Sequence, residues 1–187
     1  MITLREEKGT QLTHQEMDEN FKSVMGGHNF LHIQDQKPQD THGGTFTSGA
    51  WQTRDLNTVL TNTISGASLA ANQITLPAGK YYVEASAPFM ITQYAPGIVQ
   101  ARIYNFTDTS VVFLSAPSYG NLPATSSFVS HSSEMSGSFM LSATKQLQIE
   151  HRCGSTVSNN GFGFRSDYDI GIYSDIRIWR IGEYVAP

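Results

Sequence analysis

The clearest hydrophobic pattern in the chain is a period-two alternation in its last quarter. Leu147, Ile149, His151 and Cys153 fall on one side of it, and Gln146, Gln148, Glu150 and Arg152 on the other. Successive side chains of a strand point to opposite faces, so this is a half-buried antiparallel strand. A helix would need apolar residues three and four apart, which this segment lacks. Runs of the same kind occupy 80–89, 98–106, 111–115, 135–142, 145–152 and 172–181, the last carrying Trp179. Upstream, 30–35, 45–47, 50–54, 56–61 and 74–76 are shorter strand candidates, and 64–73 reads as a loop of small residues. Pro77, Ala78 and Gly79 make a tight turn into the strand that follows. About eight to ten short strands punctuated by turn residues predict an all-β sandwich or barrel.

Loop lengths add a direction to this picture. If strand direction reverses at each step from residue 80 onward, alternate connections lie at opposite ends. The tight ones, 107–110 and 143–144, then share one end, and the long ones, near 92–97, 116–134 and 154–171, share the other. The long loops hold Tyr94, Tyr119, Phe128, Phe162, Phe164 and Tyr168 among Ser, Asn and Gly. Loops longer than about 12 residues inside a compact domain are usually functional or mobile.

Residues 1–27 follow a different period. Thr13 is a good N-cap, with Glu16 placed to reach back to its amide and Leu12 and Met17 in the two staple positions. Asp18 and Glu19 put negative charge near the positive end of the helix dipole. Met17, Phe21 and Val24 form an apolar stripe, and Gly26-Gly27 stops the helix. A helix of about three turns is too short to stand alone in water, so the stripe must bury itself, either on its own domain or on a partner.

Composition narrows the function. Charged residues are 15% of the chain, with Ser, Thr, Gly and Asn in their place, as suits a β-rich, loop-rich surface. A net charge of -4 without a basic cluster argues against a nucleic-acid partner. The one cysteine, Cys153, excludes an internal disulfide and sits on the apolar side of its strand as a small hydrophobe. No apolar run approaches the ~20 residues of a membrane span, and the first residues lack the apolar stretch of a signal peptide. The expectation is a soluble protein made in a reducing compartment, without membrane insertion.

Two stretches carry a family resemblance. Lys8-Gly9-Thr10-Gln11-Leu12-Thr13-His14-Gln15-Glu16-Met17-Asp18-Glu19-Asn20-Phe21 resembles the opening segment of many bacteriophage tail-fibre and other virion proteins. From His32 to Ile181 the chain resembles a domain that recurs in phage fibres. Its hallmarks are Gly43-Gly44-Thr45-Phe46-Thr47-Ser48-Gly49-Ala50-Trp51, Thr53-Arg54-Asp55-Leu56-Asn57-Thr58 and Ile74-Thr75-Leu76-Pro77-Ala78-Gly79. The strand pattern is also similar to the trimeric jelly roll of tumour necrosis factor and complement heads, where a Gly-x-Tyr-Tyr strand and a Ser-Gly-Ser strand recur.

The resemblance implies an antiparallel jelly-roll domain over 28–187 behind a virion-attachment segment over 1–27. It implies a homotrimer that meets other virion proteins, of the tail, baseplate or capsid, through Leu12, Thr13, Glu16, Met17, Phe21 and Val24. Host surface glycan or protein would meet the distal loops, through Tyr94, Tyr119, Phe162, Phe164 and Tyr168. A capsid decoration protein is the alternative function, and a glycan-processing tailspike a third. Tyr82, Tyr104 and Trp179 alternate with the small core residues of their strands, leaving apolar surface that closed assembly would cover.

Catalytic chemistry finds little footing. No Gly-x-Ser-x-Gly, Gly-x-Gly-x-x-Gly or P-loop is present. His28, His32 and His42 with Asp35 and Asp40 match no metal-ligand spacing, and Asp167-Tyr168-Asp169 offers too few carboxylates for calcium. His151 reads as a core or subunit-interface histidine. Asn105-Phe106-Thr107 matches a glycosylation acceptor by chance. Glycosidases need two carboxylates about 5–10 Å apart, and no stretch pairs the outward Glu84, Glu150 and Asp175. The expectation is a protein with no catalytic residue, cofactor or metal.

Overall fold

The structure is a computed structural model that describes residues 8–25, 29–92, 97–120 and 128–184, the side chains of residues 19 and 21–25 excepted. A helix, α1 (His14–Met25), precedes the strands β1 (Phe30–Lys37), β2 (Gln52–Thr53), β3 (Thr58–Asn62), β4 (Ser68–Ala70), β5 (Gln73–Leu76) and β6 (Gly79–Thr92). They continue with β7 (Gly97–Asn105), β8 (Ser110–Leu114), β9 (Ser118–Gly120), β10 (Phe128–Leu141), β11 (Lys145–Cys153) and β12 (Gly171–Gly182).

Two antiparallel sheets result. One is five-stranded in the order β10-β6-β12-β1-β3; the other is seven-stranded in the order β4-β5-β11-β7-β8, with β2 beside β11 and β9 beside β7. The pairs β7·β8, β6·β10, β5·β11 and β1·β12 nest outward from the turn between β7 and β8. That nesting is one long hairpin rolled across two sheets, which is a jelly roll. Between the sheets, Leu31, Ile33, Tyr81, Val83, Ile176 and Ile178 face Ile74, Leu76, Ile103, Leu147 and Ile149, all essentially without solvent contact. Burial of each such side chain stabilises by about 1.5–3 kcal/mol. On β6 the exposure alternates residue by residue from Gly79 to Ala87, so a slip of one position would turn this core set to water.

The expected loop over 116–134 contains β9, and the expected strand over 45–47 is reduced to an isolated bridge between Phe46 and Val157. Three further elements differ from their sequence reading. The supposed small-residue loop over 64–73 contains β4, joined to β5 by Ala71-Asn72 with φ of 49° and 64°. Two central residues at positive φ make a type I′ hairpin turn, and an alanine there hides the usual Asn-Gly signature. Strand β10 begins at Phe128, well before the expected 135, because it pairs with β6 over its whole length from Phe128↔Thr92 to Leu141↔Gly79. Its start is Ser-rich, and backbone pairing rather than side-chain burial holds it at the sheet edge. Strand β11 is buried on both faces through its middle: Gln148 and Glu150 are 6% and 7% exposed. It is interior to its sheet, and Arg102 of β7 reaches across to Glu150 at 2.5 Å.

The ends of the sandwich are unequal, as loop parity requires. Thr92 meets Phe128, Gly97 meets Gly120, Cys153 meets Val99 and Lys37 meets Gly171 at one pole. At the other, Leu141 meets Gly79, Asn105 meets Ser110, and Phe30 meets Trp179. β1 therefore begins, and β12 ends, at the short-turn pole. In α1 the capping box forms: the Thr13 amide donates to Glu16 Oε2 at 2.7 Å and the Glu16 amide to Thr13 Oγ1 at 3.2 Å. The Lys8 ammonium and the Thr13 amide hold the Glu16 carboxyl down to about 2. Leu12 is half-buried and Met17 exposed, while the Phe21 and Val24 side chains lie outside the described residues.

A second, smaller core of Phe46, Phe89, Ile91, Val99 and Cys153 sits under the long-loop pole. His151 is buried beside it, 4.7 Å from the Phe46 ring and edge-on to Phe89 at 5.6 Å, with Nε2 on Ser133 Oγ at 3.1 Å. Burial, assisted by the Arg54 charge, drives its pKa down to about 2. The unfolded chain takes up a proton near pH 6.5 that the folded one refuses, so stability falls as pH drops below that value. Urea denaturation should show His151 contributing a loss of about 1.4 kcal/mol per pH unit between about pH 6 and 4. His151→Leu should flatten that slope relative to wild type; identical slopes would show that the histidine charges in place.

Candidate binding surface at the long-loop pole

The long-loop pole is built around Arg54, the largest fully buried side chain described, at 1% exposure. Its Nε donates to Ser174 Oγ at 3.2 Å, Nη1 to the Pro88 carbonyl at 3.0 Å, and Nη2 to the carbonyls of Phe162 at 3.1 Å and Tyr173. The Phe162 ring lies under the guanidinium at 4.1 Å. One side chain thereby ties β6, β12 and the 154–170 loop together. Burial lowers its pKa to about 9, with Asp35 and Asp55 opposing, so it remains a cation at neutral pH. Asp35 is itself buried, paired with Lys37 Nζ at 3.2 Å and Asn57 Nδ2 at 2.9 Å, and desolvation pushes its carboxyl up.

The segment after β1 closes onto the same loop. Phe46 and Val157 exchange two backbone hydrogen bonds of 2.9 Å. The Gly43 amide donates to Gly163 O at 3.0 Å, the Gly44 amide to Asn159 O at 3.0 Å, and the Phe162 amide to Gly44 O at 3.1 Å. A Cβ on Gly43 would lie 2.7 Å from the Phe162 backbone, and one on Gly161 2.5 Å from Val157 O. This approach requires glycine at both positions. The hallmark stretches around Gly43-Gly44-Thr45-Phe46 and Thr53-Arg54 therefore hold the loop in place. Tyr173 completes the frame, donating its hydroxyl to Thr41 O at 2.5 Å and Phe164 O at 3.2 Å.

The residues expected at this surface are divided by the frame. Phe162 is half-buried between Arg54 and the Phe46 ring at 4.6 Å, a packing position. Phe164 is 41% exposed and stacks at 5.4 Å on Phe128, which is 50% exposed at the start of β10, while His42 meets its edge at 4.8 Å. Tyr168 is 96% exposed and Tyr119, on β9, 69%; neither makes a ring contact among the described residues. Tyr94 lies outside the described residues. Arg165 bonds Asp167 at 2.8 Å beside this cluster. His42 was not picked out for this surface because only tertiary folding brings its turn against the loop. Rigid backbone, exposed rings and a few paired charges suit contact with another molecule's surface.

The other residues singled out for chemistry are dispersed. His32 pairs with Asp175 at 2.8 Å on the outer face of the five-stranded sheet, and His42 belongs to the loop cluster; His28 is outside the described residues. No group of three or more metal-ligating side chains comes together among the described residues. Strand register does unite acids that are distant in sequence: Glu84, Glu134 and Asp175 line one groove with Arg177, whereas Glu150 is on the other sheet. Asp175 accepts from His32 and, at 3.2 Å, from Arg177, and Glu134 accepts from Ser86 Oγ at 2.8 Å. Of the three outward aromatics, Tyr82 and Trp179 share this sheet face with Phe30, ring centroids 5.0–5.8 Å apart. Tyr104 lies on the opposite sheet beneath Arg102 at 4.4 Å.

No protein-family model and no curated protein matches the chain. Among solved structures, murine APRIL at pH 5.0 aligns with a TM-score of 0.48 and 11% identity, over 83% of this chain and 100% of that one. The globular domain of the zebrafish complement 1qA protein aligns with a TM-score of 0.48 and 12% identity, over 84% and 100%. The strand pairing itself defines the class: a two-sheet antiparallel jelly roll behind a short capped helix.

Replacing Arg54 by Leu should remove the donors of the three carbonyls and cost about 3 kcal/mol in urea denaturation. Limited proteolysis should then cut first within 154–170. A variant as stable and as resistant as wild type would show that Arg54 does not hold the loop.

Proposed function

We propose that the protein is a non-enzymatic structural component of a bacteriophage virion, homotrimeric, that contacts a host surface glycan or protein with its long-loop pole. The observation that carries this reading is polarity. The capped helix leads into β1, and β12 leaves, at the short-turn pole, while the framed loops with Phe128, Phe164, Tyr119 and Tyr168 stand at the other. Such a molecule attaches by one end and touches by the other. The residues that resemble phage proteins, 8–21 and the Gly43–Trp51 and Thr53–Thr58 hallmarks, are those of the helix cap and the loop frame.

Labelled protein should adsorb to cells of the infected bacterium and compete with the phage. Phe164→Ala combined with Tyr168→Ala should weaken adsorption by about tenfold or more, as loss of one to two aromatic anchors does, with unchanged thermal stability. A protein that neither adsorbs nor blocks infection would instead belong to the capsid surface as a decoration.

For self-association, the outer face of the five-stranded sheet is the candidate. Phe30, Trp179 and Tyr82 form a half-buried aromatic row there, flanked by Met140 at 49% and Ile181 at 58% exposure. Covering this row in closed symmetry removes an apolar patch from water. Sedimentation equilibrium should return the mass of a trimer for wild type and of a monomer for Tyr82→Arg/Trp179→Arg. A monomeric wild type would refute the assembly.

A further inference from the structure

We infer that a groove on the outer face of the seven-stranded sheet, between Trp51, Ile98 and Arg152, binds a carboxylate-bearing sugar of a surface polysaccharide. This groove has a volume of about 350 Å³ and is walled by Trp51, Ile98, Gln100 and Arg152, with Gly49 and Gly154 at its margins. Gln100 and Arg152 are directly opposite each other in the β7·β11 pairing, so both project from the same sheet face.

The two outward arginines of this face differ in what they have to offer. Arg102 is fully engaged: it pairs with Glu150 at 2.5 Å and is sandwiched between the Trp51 ring at 4.2 Å and the Tyr104 ring at 4.4 Å. Arg152 is exposed, and its one described bond is a long one of 3.5 Å to the Gly49 carbonyl. No carboxylate pairs with it among the described residues, in a chain whose net charge is -4. A guanidinium left without an acid beside an apolar wall is a docking point for a planar carboxylate, which it meets with two parallel hydrogen bonds.

The rest of the groove favours a sugar as the bearer of that carboxylate. Arg102 covers one face of the Trp51 indole and sets its position, and the half-buried ring lines the groove with surface left over. Ile98, 59% exposed, adds an apolar patch, so the C–H face of a pyranose has a wall to pack against. The Gln100 side-chain nitrogen is taken by the Ser115 carbonyl at 2.9 Å, which leaves its oxygen to accept from a sugar hydroxyl. Cys153 beneath is buried, and desolvation raises its thiol to about 11, so no thiolate competes for the cation. The groove is on the sheet opposite the aromatic row, and remains open if that row is covered by further copies. The inference does not rest on the loop-pole reading, and either can fail alone.

The test is calorimetric titration of the full chain with trigalacturonate, an alginate trimer and oligosialic acid, against maltotriose as the neutral control. Binding of at least one acidic oligosaccharide and not of maltotriose is expected, with the Trp51 indole signal shifting in proton–nitrogen spectra. Arg152→Gln and Ile98→Asp, both at exposed positions, should each weaken it at least tenfold. Failure of all three acidic sugars overturns the proposal. So does equal binding of maltotriose, equal binding of inorganic phosphate or a glutamate peptide, or full affinity in the Arg152→Gln variant.

Discussion

A single buried cation organises the pole of this molecule opposite the start of β1. Arg54 gives hydrogen bonds to β6, to β12 and to the 154–170 loop, and rests on the Phe162 ring. An ionised group deep in a protein costs several kcal/mol in lost hydration unless its donors are paired. Here four acceptors take four of its five N–H donors, and that demand for pairing makes the loop conformation specific. An apolar side chain of the same size would fill the space without fixing where the Phe162 and Tyr173 carbonyls point.

Around that anchor the pole is assembled by close backbone approach. Gly43 and Gly161 clear space for the segments 39–53 and 154–170 to zip together, and Gly163 clears space for the Tyr173 ring. The exposed rings therefore stand on a backbone whose polar groups are already paired. Ordering costs on contact fall when a binding surface is framed beforehand. This is the physical link from the glycine-rich stretch to the proposed host-facing role.

The two outer sheet faces are chemically distinct. One carries the Phe30–Trp179–Tyr82 row and an acidic groove in which Asp175 and Glu134 are already accepting hydrogen bonds. The other carries two arginines, one engaged by Glu150 and two rings, one free of any described acid. A symmetric assembly through the first face would leave the second outward.

Much of this was legible in the chain alone, because it depends on local periodicity. The alternation of β11, the capping box of Thr13 and Glu16 and the segregation of long loops follow from two-residue and 3.6-residue periods and from strand reversal, which need no knowledge of distant partners. What stayed hidden was set by residues far apart in sequence. β4 turns on an alanine at positive φ, the first half of β10 is held by pairing with β6, and Phe162 exchanges exposure for a place under Arg54. The grouping of Glu84, Glu134 and Asp175, and the contrast between Arg102 and Arg152, come from register across strands. Local pattern determines which face a side chain takes; only tertiary contact decides what it finds there, since pairing, desolvation and stacking are properties of neighbours that the linear order does not contain.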